Sequence, residues 1–227
     1  MPQTPFKPKI TVDVDQDILA LVKKFQSLSM VRSERFIENL MLIQFFSSRI
    51  PADVVECGTW KGGMACAMMG VCADDTHFHF FDSFEGLPDP KPIDGEAAKE
   101  ENRKQSPKYF ANCLADYDEF CNLVYSQGIS KNRIRVYKGW FADTLPHFPQ
   151  DRTISVLRLD GDWYDSTMEC LTALYPKVVS GGIIIIDDYD AYEGCPRAVH
   201  DYLSQTNVMA RLHRTPGSQV VYLIKYH

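Results

Sequence analysis

Long apolar segments are missing from this sequence of 227 residues. No run approaches the roughly 18 apolar residues that cross a bilayer, and the opening stretch MPQTPFKPKITVDVDQD lacks the apolar core of a signal peptide. A basic excess is missing too, since the net charge is −6, which argues against a nucleic-acid partner held by bulk electrostatics. We therefore expect a cytoplasmic protein that binds neither membranes nor nucleic acids.

Paired cysteines and two nucleotide-binding signatures are also missing. The seven cysteines are odd in number and form no C-x-x-C pair, so the sequence predicts neither disulfides nor a zinc site. The glycines of ECGTWKGG do not fit G-x-G-x-x-G, and no P-loop lysine motif follows them. These absences weaken dinucleotide and nucleoside-triphosphate interpretations.

Segments of strand and helix character alternate through most of the chain. Strand patterns occur at 52–58, 77–82, 132–139, 153–160 and 183–188, and a hairpin pattern at 207–226. Helical patterns occur at 15–28, 33–48, 64–73, 107–128 and 195–206, and residues 166–182 supply a further helix and a glycine turn. The alternation predicts an α/β fold with a mostly parallel sheet and an antiparallel closing hairpin.

The chain divides into two predicted regions. Residues 1–50 form a helical cap, and residues 51–227 form the α/β domain. Within that domain the segment 84–106, called the flap below, combines prolines, glycines and many charges, which predicts a loop. We expect the cap and the flap to govern the choice of substrate.

Carboxylates follow four of the five predicted parallel strands, where ligands bind in sheets of this kind. Asp160 follows the fourth strand, and Asp187 and Asp188 follow the fifth. Neighbouring strands lie about 4.8 Å apart, so these side chains are expected to converge on one cation. Oxygen ligands predict Mg²⁺, with Ca²⁺ or Mn²⁺ as alternatives. Helix capping explains a single aspartate well, but it explains a repelling cluster poorly.

A general base is predicted beside this metal site. Asp162 lies two residues beyond Asp160 and is on the same side if the chain stays extended. It is placed to take the proton from a substrate hydroxyl whose pKa the metal lowers.

The other strand ends predict a nucleoside ligand. Gly58 permits a tight turn after the first strand, and Asp82 ends the second strand, where it is placed to accept hydrogen bonds from a ribose. Trp140 and Phe141 follow the third strand and offer aromatic faces to a purine. Each feature alone is more often a turn, a cap or a core aromatic, but the combination fits S-adenosylmethionine.

Five blocks of the sequence resemble one enzyme family. The blocks VVECGTWKGGMA, FFDSFEGLP, KGWFADTLP, LRLDGDWYDST and IIIIDDYDAYEGCPRAV occur in the order found in the macrocin O-methyltransferases. The resemblance implies a Rossmann-like class I methyltransferase sheet of seven strands with a reversed last hairpin. It further implies S-adenosylmethionine as methyl donor, Mg²⁺ dependence, and a sugar hydroxyl in antibiotic glycoside assembly as the small-molecule acceptor.

The resemblance also assigns roles to residues of this chain. It places the metal on Asp160, Asp187 and Asp188, and the general base on Asp162. The residues we assign to the cofactor are Glu56, Gly58, Thr59, Trp60, Asp82, Ser83, Gly139, Trp140, Phe141 and Asp160.

Two other functions stay open. One is a metal-dependent methyltransferase that acts on a catechol-like phenol, which an aromatic-lined acceptor pocket beside the metal would favour. The other is a non-catalytic module that binds a nucleoside, which the clustered aspartates argue against. The relatives lead us to expect a homodimer.

Overall fold

The computed structural model describes residues 14–103 and 110–226. The helices in these ranges are α1 (Gln16–Phe25), α2 (Ser33–Ser47), α3 (Gly63–Val71), α4 (Gly95–Glu101), α5 (Tyr117–Tyr125), α6 (Phe141–Thr144), α7 (Tyr164–Leu174) and α8 (Gly194–Gln205). The strands are β1 (Asp53–Cys57), β2 (Phe78–Asp82), β3 (Ile134–Lys138), β4 (Ile154–Leu159), β5 (Val178–Ile186), β6 (Leu212–Arg214) and β7 (Val221–Ile224).

The strands form one seven-stranded sheet in the order β3-β2-β1-β4-β5-β7-β6. Strands β1 to β5 pair in parallel, whereas β7 is antiparallel to both β5 and β6. The predicted Rossmann-like α/β fold with a reversed last hairpin is therefore confirmed. The strand order reverses between β1 and β4, so the ligand site of such a sheet is expected beyond the carboxyl ends of these two strands.

Helices cover both faces of the sheet, which explains why the central strands are apolar almost throughout. Every residue of β1 and β4 is buried, as expected for parallel strands packed on both sides. One face packs against α1, α2, α3 and α5, and the other against α6, α7 and α8. In the ranges given above, no helix has the length and apolarity that a bilayer span requires.

The predicted cap shares the core of the α/β domain. Helix α1 buries Ile18, Val22 and Phe25 at helical spacing, and α2 buries Phe36 and Leu40. Both helices pack against α3, and α2 also contacts β4. The cap thereby places one face of α2 next to the strand that ends at the predicted metal site.

Two of the predicted segments that contain helices need correction. The helix predicted at 107–128 begins only at Tyr117, because Ala111, Asn112 and Cys113 adopt left-handed backbone conformations that a helix cannot contain. Its residues 107–109 lie outside the described ranges. In the segment 166–182, predicted to hold a helix and a glycine turn, the helix ends at Leu174, and β5 already begins at Val178 and includes both glycines.

The flap contains regular structure where a loop was predicted. A 3₁₀ turn at Pro92–Asp94 leads directly into α4. Residues 104–106 of the predicted flap are not among those described, so the name refers from here on to residues 84–103.

Candidate active site

The three predicted metal ligands converge at the carboxyl ends of β4 and β5. These strands are direct neighbours, with Leu159 opposite Ile186, so the residues that follow them meet. One oxygen from each of Asp160, Asp187 and Asp188 lies within 4.8 Å of the others. Burial raises the pKa of Asp160 and of Asp188, and neighbouring carboxylates raise both further. Such a set of oxygen donors fits a hard divalent cation.

Asp162 lies beside this cluster in a strained turn. Its φ of 59° is left-handed, and the Trp163 N–H donates to the Gly161 carbonyl at 2.6 Å, which closes a three-residue γ-turn around it. Strain of this kind costs on the order of 1–3 kcal/mol and persists only where the surroundings impose it. The Asp162 N–H donates to Oδ2 of Asp188 at 3.0 Å, so the backbone at Asp162 is tied to a predicted metal ligand.

Burial raises the pKa of Asp162 well above its usual range, and Asp160 raises it further. A carboxyl group with a raised pKa suits proton abstraction near neutral pH better than an ordinary aspartate does. The role of Asp162 as general base stays a prediction.

A buried arginine, which was not predicted from the sequence, contacts the carboxylates of this cluster from the interior of the protein. Arg158 is fully buried, and its Nη1 donates to Glu56 Oε1 and to Asp160 Oδ2, each at 2.8 Å. Its Nη2 lies 3.2 Å from Oδ1 of Asp187. Burial opposes the charge, but Asp160, Asp187 and Glu56 outweigh it and raise the pKa of Arg158. One internal cation thus contacts three carboxyl groups.

Helix α2 contributes a second layer to this network. Nε of Arg158 donates to Oδ1 of Asn39 at 3.3 Å, and Nε of Arg35 donates to Oδ1 of Asp187 at 3.4 Å. The predicted cap therefore helps to orient the carboxylates.

Glu56 lies elsewhere than predicted. It was assigned to the cofactor, but its side chain is fully buried against Arg158, which lies opposite it in the β1–β4 register. Burial raises the pKa of Glu56 to about 8, although Arg158 opposes this. The side chain supports the floor of the site and does not line the cavity described below.

Replacing Glu56 with glutamine is expected to flatten the pH dependence of stability. The folded protein holds this proton up to a pKa of about 8, whereas the ordinary value is 4.5. The free energy of unfolding should therefore fall as the pH rises between these values, by at most about 1.4 kcal/mol per unit. Urea denaturation of the metal-stripped wild type and Glu56→Gln at several pH values in this window measures the difference. Parallel pH profiles for the two proteins would contradict the assignment.

A cavity of about 280 Å³ opens at the ends of β1, β2 and β4. The predicted cofactor residues that line it are Gly58, Trp60, Asp82, Ser83, Trp140, Phe141 and Asp160. Asp162 also lines this cavity, whereas Thr59 and Gly139 are not among its lining residues. The structure thus brings together seven of the ten residues assigned to the cofactor.

Asp82 shapes the cavity through its backbone contacts. Its Oδ2 accepts the N–H groups of Thr59 and Trp60 at 2.8 and 2.9 Å, and its Oδ1 accepts that of Phe84 at 2.8 Å. It therefore joins the turn after β1 to the turn after β2. Gly58 has a φ of +84°, and any side chain there would collide with the Asp160 carbonyl, so only glycine fits this close approach.

The lining of this cavity shows whether a polar ligand fits it. The carboxylate residues Asp82, Asp160 and Asp162 are all among its lining residues, so the cavity suits a polar cofactor better than an apolar one. The indole Nε1 of Trp60 has no hydrogen-bond partner among residues 14–103 and 110–226, but it is closed off from solvent and so does not face the cavity.

A second, larger cavity begins on the other side of the carboxylates. This groove, of about 1180 Å³, lies between α2, the turn at 187–191 and the turn at 215–218. Asp187 and Asp188 line the groove, whereas Asp160 and Asp162 line the smaller cavity. The candidate metal site therefore lies between two spaces, each of which can take a different molecule.

Comparisons with known proteins show which family the chain belongs to. The family model described as macrocin-O-methyltransferase (TylF) matches residues 15–223. The chain belongs to this family. The resemblance drawn from the five sequence blocks is thereby confirmed, and the family match extends from α1 to β7.

Two curated relatives of this TylF-family chain are named as antibiotic methyltransferases. The chain is 36% identical over 170 residues to demethyldecarbamoylnovobiocin O-methyltransferase of Streptomyces niveus, a match that covers 73% of the chain and 63% of the relative. It is 34% identical over 163 residues to mycinamicin III 3''-O-methyltransferase of Micromonospora griseorubida, covering 67% of the chain and 61% of the relative. The chain thus spans less than two thirds of the length of these relatives.

A solved structure supports the same fold. The structure of the O-methyltransferase NovP superposes with a TM-score of 0.73 at 30% sequence identity and covers 88% of this chain and 83% of NovP. The predicted class I methyltransferase architecture is therefore shared with an O-methyltransferase of known structure.

Proposed function

We propose that this chain transfers a methyl group from S-adenosylmethionine to a hydroxyl of a sugar or of a glycosylated natural product. The observation that carries the proposal is the placement of Asp162 and the carboxylate cluster between two cavities. The relatives support the reaction class, since they are named as O-methyltransferases of demethyldecarbamoylnovobiocin and of mycinamicin III.

The smaller cavity is the proposed site of S-adenosylmethionine. When bound, this cofactor supplies a methyl group on a sulfonium that is already activated toward nucleophiles. Trp60, Trp140 and Phe141 line this cavity, and Trp140 and Phe141 give aromatic surface for the adenine. Asp82 fixes the two turns that frame the cavity, and its carboxylate faces the space where a ribose is expected.

Asp160, Asp187 and Asp188 are the proposed ligands of Mg²⁺, which would lower the pKa of an acceptor hydroxyl placed beside it. Arg158 and Arg35 orient two of these carboxylates from the protein side. Asp162 accepts the hydroxyl proton. The site then has mainly to place the hydroxyl oxygen in line with the methyl group and the sulfur, so that the new O–C bond forms as the S–C bond breaks and S-adenosylhomocysteine leaves.

The groove between α2 and the two turns is the proposed acceptor site. It is continuous with Asp187 and Asp188, and Phe45 is the one aromatic side chain among its lining residues in the described chain. Its other apolar residues are aliphatic, including Ile37, Met41 and Leu42. This lining supports a sugar-bearing acceptor over a flat catechol-like phenol. A non-catalytic module would not require a carboxyl group beside the cluster that also lines the smaller cavity, as Asp162 does.

Calorimetric titration of S-adenosylmethionine and S-adenosylhomocysteine into the metal-stripped protein, repeated with Mg²⁺, tests the cofactor assignment. We expect micromolar binding of both. Glycosides and their matched aglycones are then compared as acceptors, with release of S-adenosylhomocysteine as the readout. Turnover of the glycosides alone supports the proposal.

The Asp188→Ala variant is the control for the metal. It removes one carboxylate of the cluster, so we expect it to need far more Mg²⁺ than the wild type while the cofactor titration is unchanged. Turnover that resists chelation in the wild type would contradict the metal assignment, and turnover of catechols in place of glycosides would favour the phenol alternative.

A further inference from the structure

Asp94 is a buried carboxylate in the flap that contacts a helix 70 positions further along the chain. Its side chain is 2% exposed. Oδ1 accepts the backbone N–H of Tyr164 at 2.7 Å, and Oδ2 accepts the backbone N–H of Lys91 at 2.7 Å. Both carboxylate oxygens are thus committed, one to the flap itself and one to the start of α7.

Helix α7 depends on this contact because it has no capping side chain of its own. Its N-cap residue is Trp163, which provides no side-chain acceptor for the first turn. Asp94 supplies the missing acceptor from another segment, and its negative charge lies at the positive end of the helix dipole. A bond from a charged acceptor to a backbone N–H is among the stronger hydrogen bonds in proteins.

The same contact point borders α8. Gly194 is the first residue of α8, and a side chain at this position would collide with the Asp94 carboxylate. The flap, α7 and α8 therefore meet at Asp94, and the space around it admits little movement.

The residue that Asp94 holds lies two positions from the candidate base. Tyr164 follows Trp163, whose N–H closes the γ-turn around Asp162. The indole Nε1 of Trp163 donates to the Pro88 carbonyl at 2.9 Å, which gives the flap a second contact with the same loop. A shift of the flap would therefore act directly on the turn that orients Asp162.

A third contact between the flap and α7 contributes little. Lys91 and Asp165 form an ion pair, but their side chains are 64% and 46% exposed. Exposed pairs of this kind are worth roughly 0–1 kcal/mol. The buried bonds of Asp94 and Trp163 are the ones that hold the flap against the loop.

We propose that Asp94 is a positioning residue of the methyl-transfer reaction, which acts by fixing the start of α7 and so the strained turn that carries Asp162. The expected fall in kcat rests on the proposed function. The expected loosening of the loop around Asp162 does not. Asp94 does not touch either cavity, and its effect on turnover passes through the backbone at Tyr164.

The Asp94→Ala variant tests this role. Without the acceptor, the 160–166 loop should exchange its backbone N–H protons faster than in the wild type, as measured by mass spectrometry. We expect kcat to fall roughly 10- to 100-fold, since small displacements of a reacting group have effects of this size, with S-adenosylhomocysteine affinity unchanged. Asp94→Asn keeps one oxygen for the Tyr164 N–H and should recover much of kcat. If the alanine variant fails to fold, the same kcat and exchange measurements on Asp94→Asn test the role of Asp94.

Asp116→Ala is the matched control. Asp116 accepts the Glu119 N–H at 2.8 Å at the start of α5, so its removal also costs a helix one aspartate cap. The control should lower the melting temperature without changing kcat or loop exchange. Equal effects of Asp94→Ala and Asp116→Ala on kcat and exchange would overturn the inference. If the wild type shows no methyl transfer, the proposed function fails, and loop exchange alone decides the role of Asp94.

Discussion

Asp162→Asn is expected to lower kcat by roughly 10²- to 10⁴-fold, the range over which general bases contribute. Affinity for S-adenosylmethionine should stay within about twofold, because uncharged asparagine has nearly the same shape and the cavity is otherwise intact. Rapid-quench or steady-state measurement of S-adenosylhomocysteine release gives kcat, and calorimetry gives the affinity.

Asparagine is the informative replacement because it preserves the backbone. Asp162 has a φ of 59°, and asparagine tolerates the left-handed region better than other side chains of its size. The Asp162 N–H bond to Asp188 comes from the backbone, so the substitution leaves it in place. The variant therefore removes the proton acceptor and keeps the turn.

Asp151→Asn serves as control, because Asp151 is exposed near the start of β4, at the opposite end of the sheet from the site. It should leave both kcat and cofactor affinity at the wild-type level. Loss of cofactor binding in Asp162→Asn would show that this carboxylate binds the cofactor. Wild-type turnover in the same variant would show that another group takes the proton.

The carboxylate cluster could be predicted from the sequence because parallel strands impose a simple geometry. Asp160, Asp187 and Asp188 each follow an apolar run, and the runs become neighbouring parallel strands whose ends meet at one edge. The same reasoning placed Gly58 and Asp82 at one site, and both line the smaller cavity. Residues at strand ends are predictable because the topology alone decides what they approach.

Arg158 was missed because its position depends on tertiary contacts. An arginine in the strand pattern ISVLRL is ordinarily expected to point toward solvent, and its burial requires Glu56 opposite it and Asn39 from α2. The sequence did contain a pattern that could have predicted the burial of Arg158. When two buried strands are predicted to be neighbours, a glutamate in one and an arginine in the other indicate an internal contact between the two side chains.

The segment after the flap was mispredicted for a local reason. The pattern of 107–128 is helical, but Ala111 and Cys113 adopt left-handed conformations that their residue types do not favour. Contacts with the flap support this bend, since Leu87 and Asn112 exchange hydrogen bonds in both directions. Such a pairing, like that of Asp94 with α7, joins segments that are distant in the sequence. It produces no periodic pattern of residues, so it cannot be predicted from periodicity.

Arg158→Met is expected to lower the free energy of unfolding by about 3–5 kcal/mol, the usual cost of removing one partner of a buried ion pair. The variant leaves Glu56, Asp160 and Asp187 without the cation that contacts all three. Adding Glu56→Gln should change this loss little near pH 7, because Glu56 already holds its proton below a pKa of about 8 and the loss of Arg158 removes the group that lowers this pKa. Urea denaturation of the metal-stripped proteins, followed by circular dichroism, measures each free energy.

Arg214→Met provides the comparison. Arg214 pairs with Asp190 at the surface, where their side chains are 40% and 45% exposed, so this substitution should cost no more than about 1 kcal/mol. If Arg158→Met costs as little as Arg214→Met, the internal cation does not hold the cluster together. Arg158→Lys keeps a charge but cannot donate to several carboxyl groups in the fixed geometry of a guanidinium, so its stability should lie between those of Arg158→Met and the wild type. The ordering of these variants distinguishes a network that needs charge alone from one that needs the arginine fork.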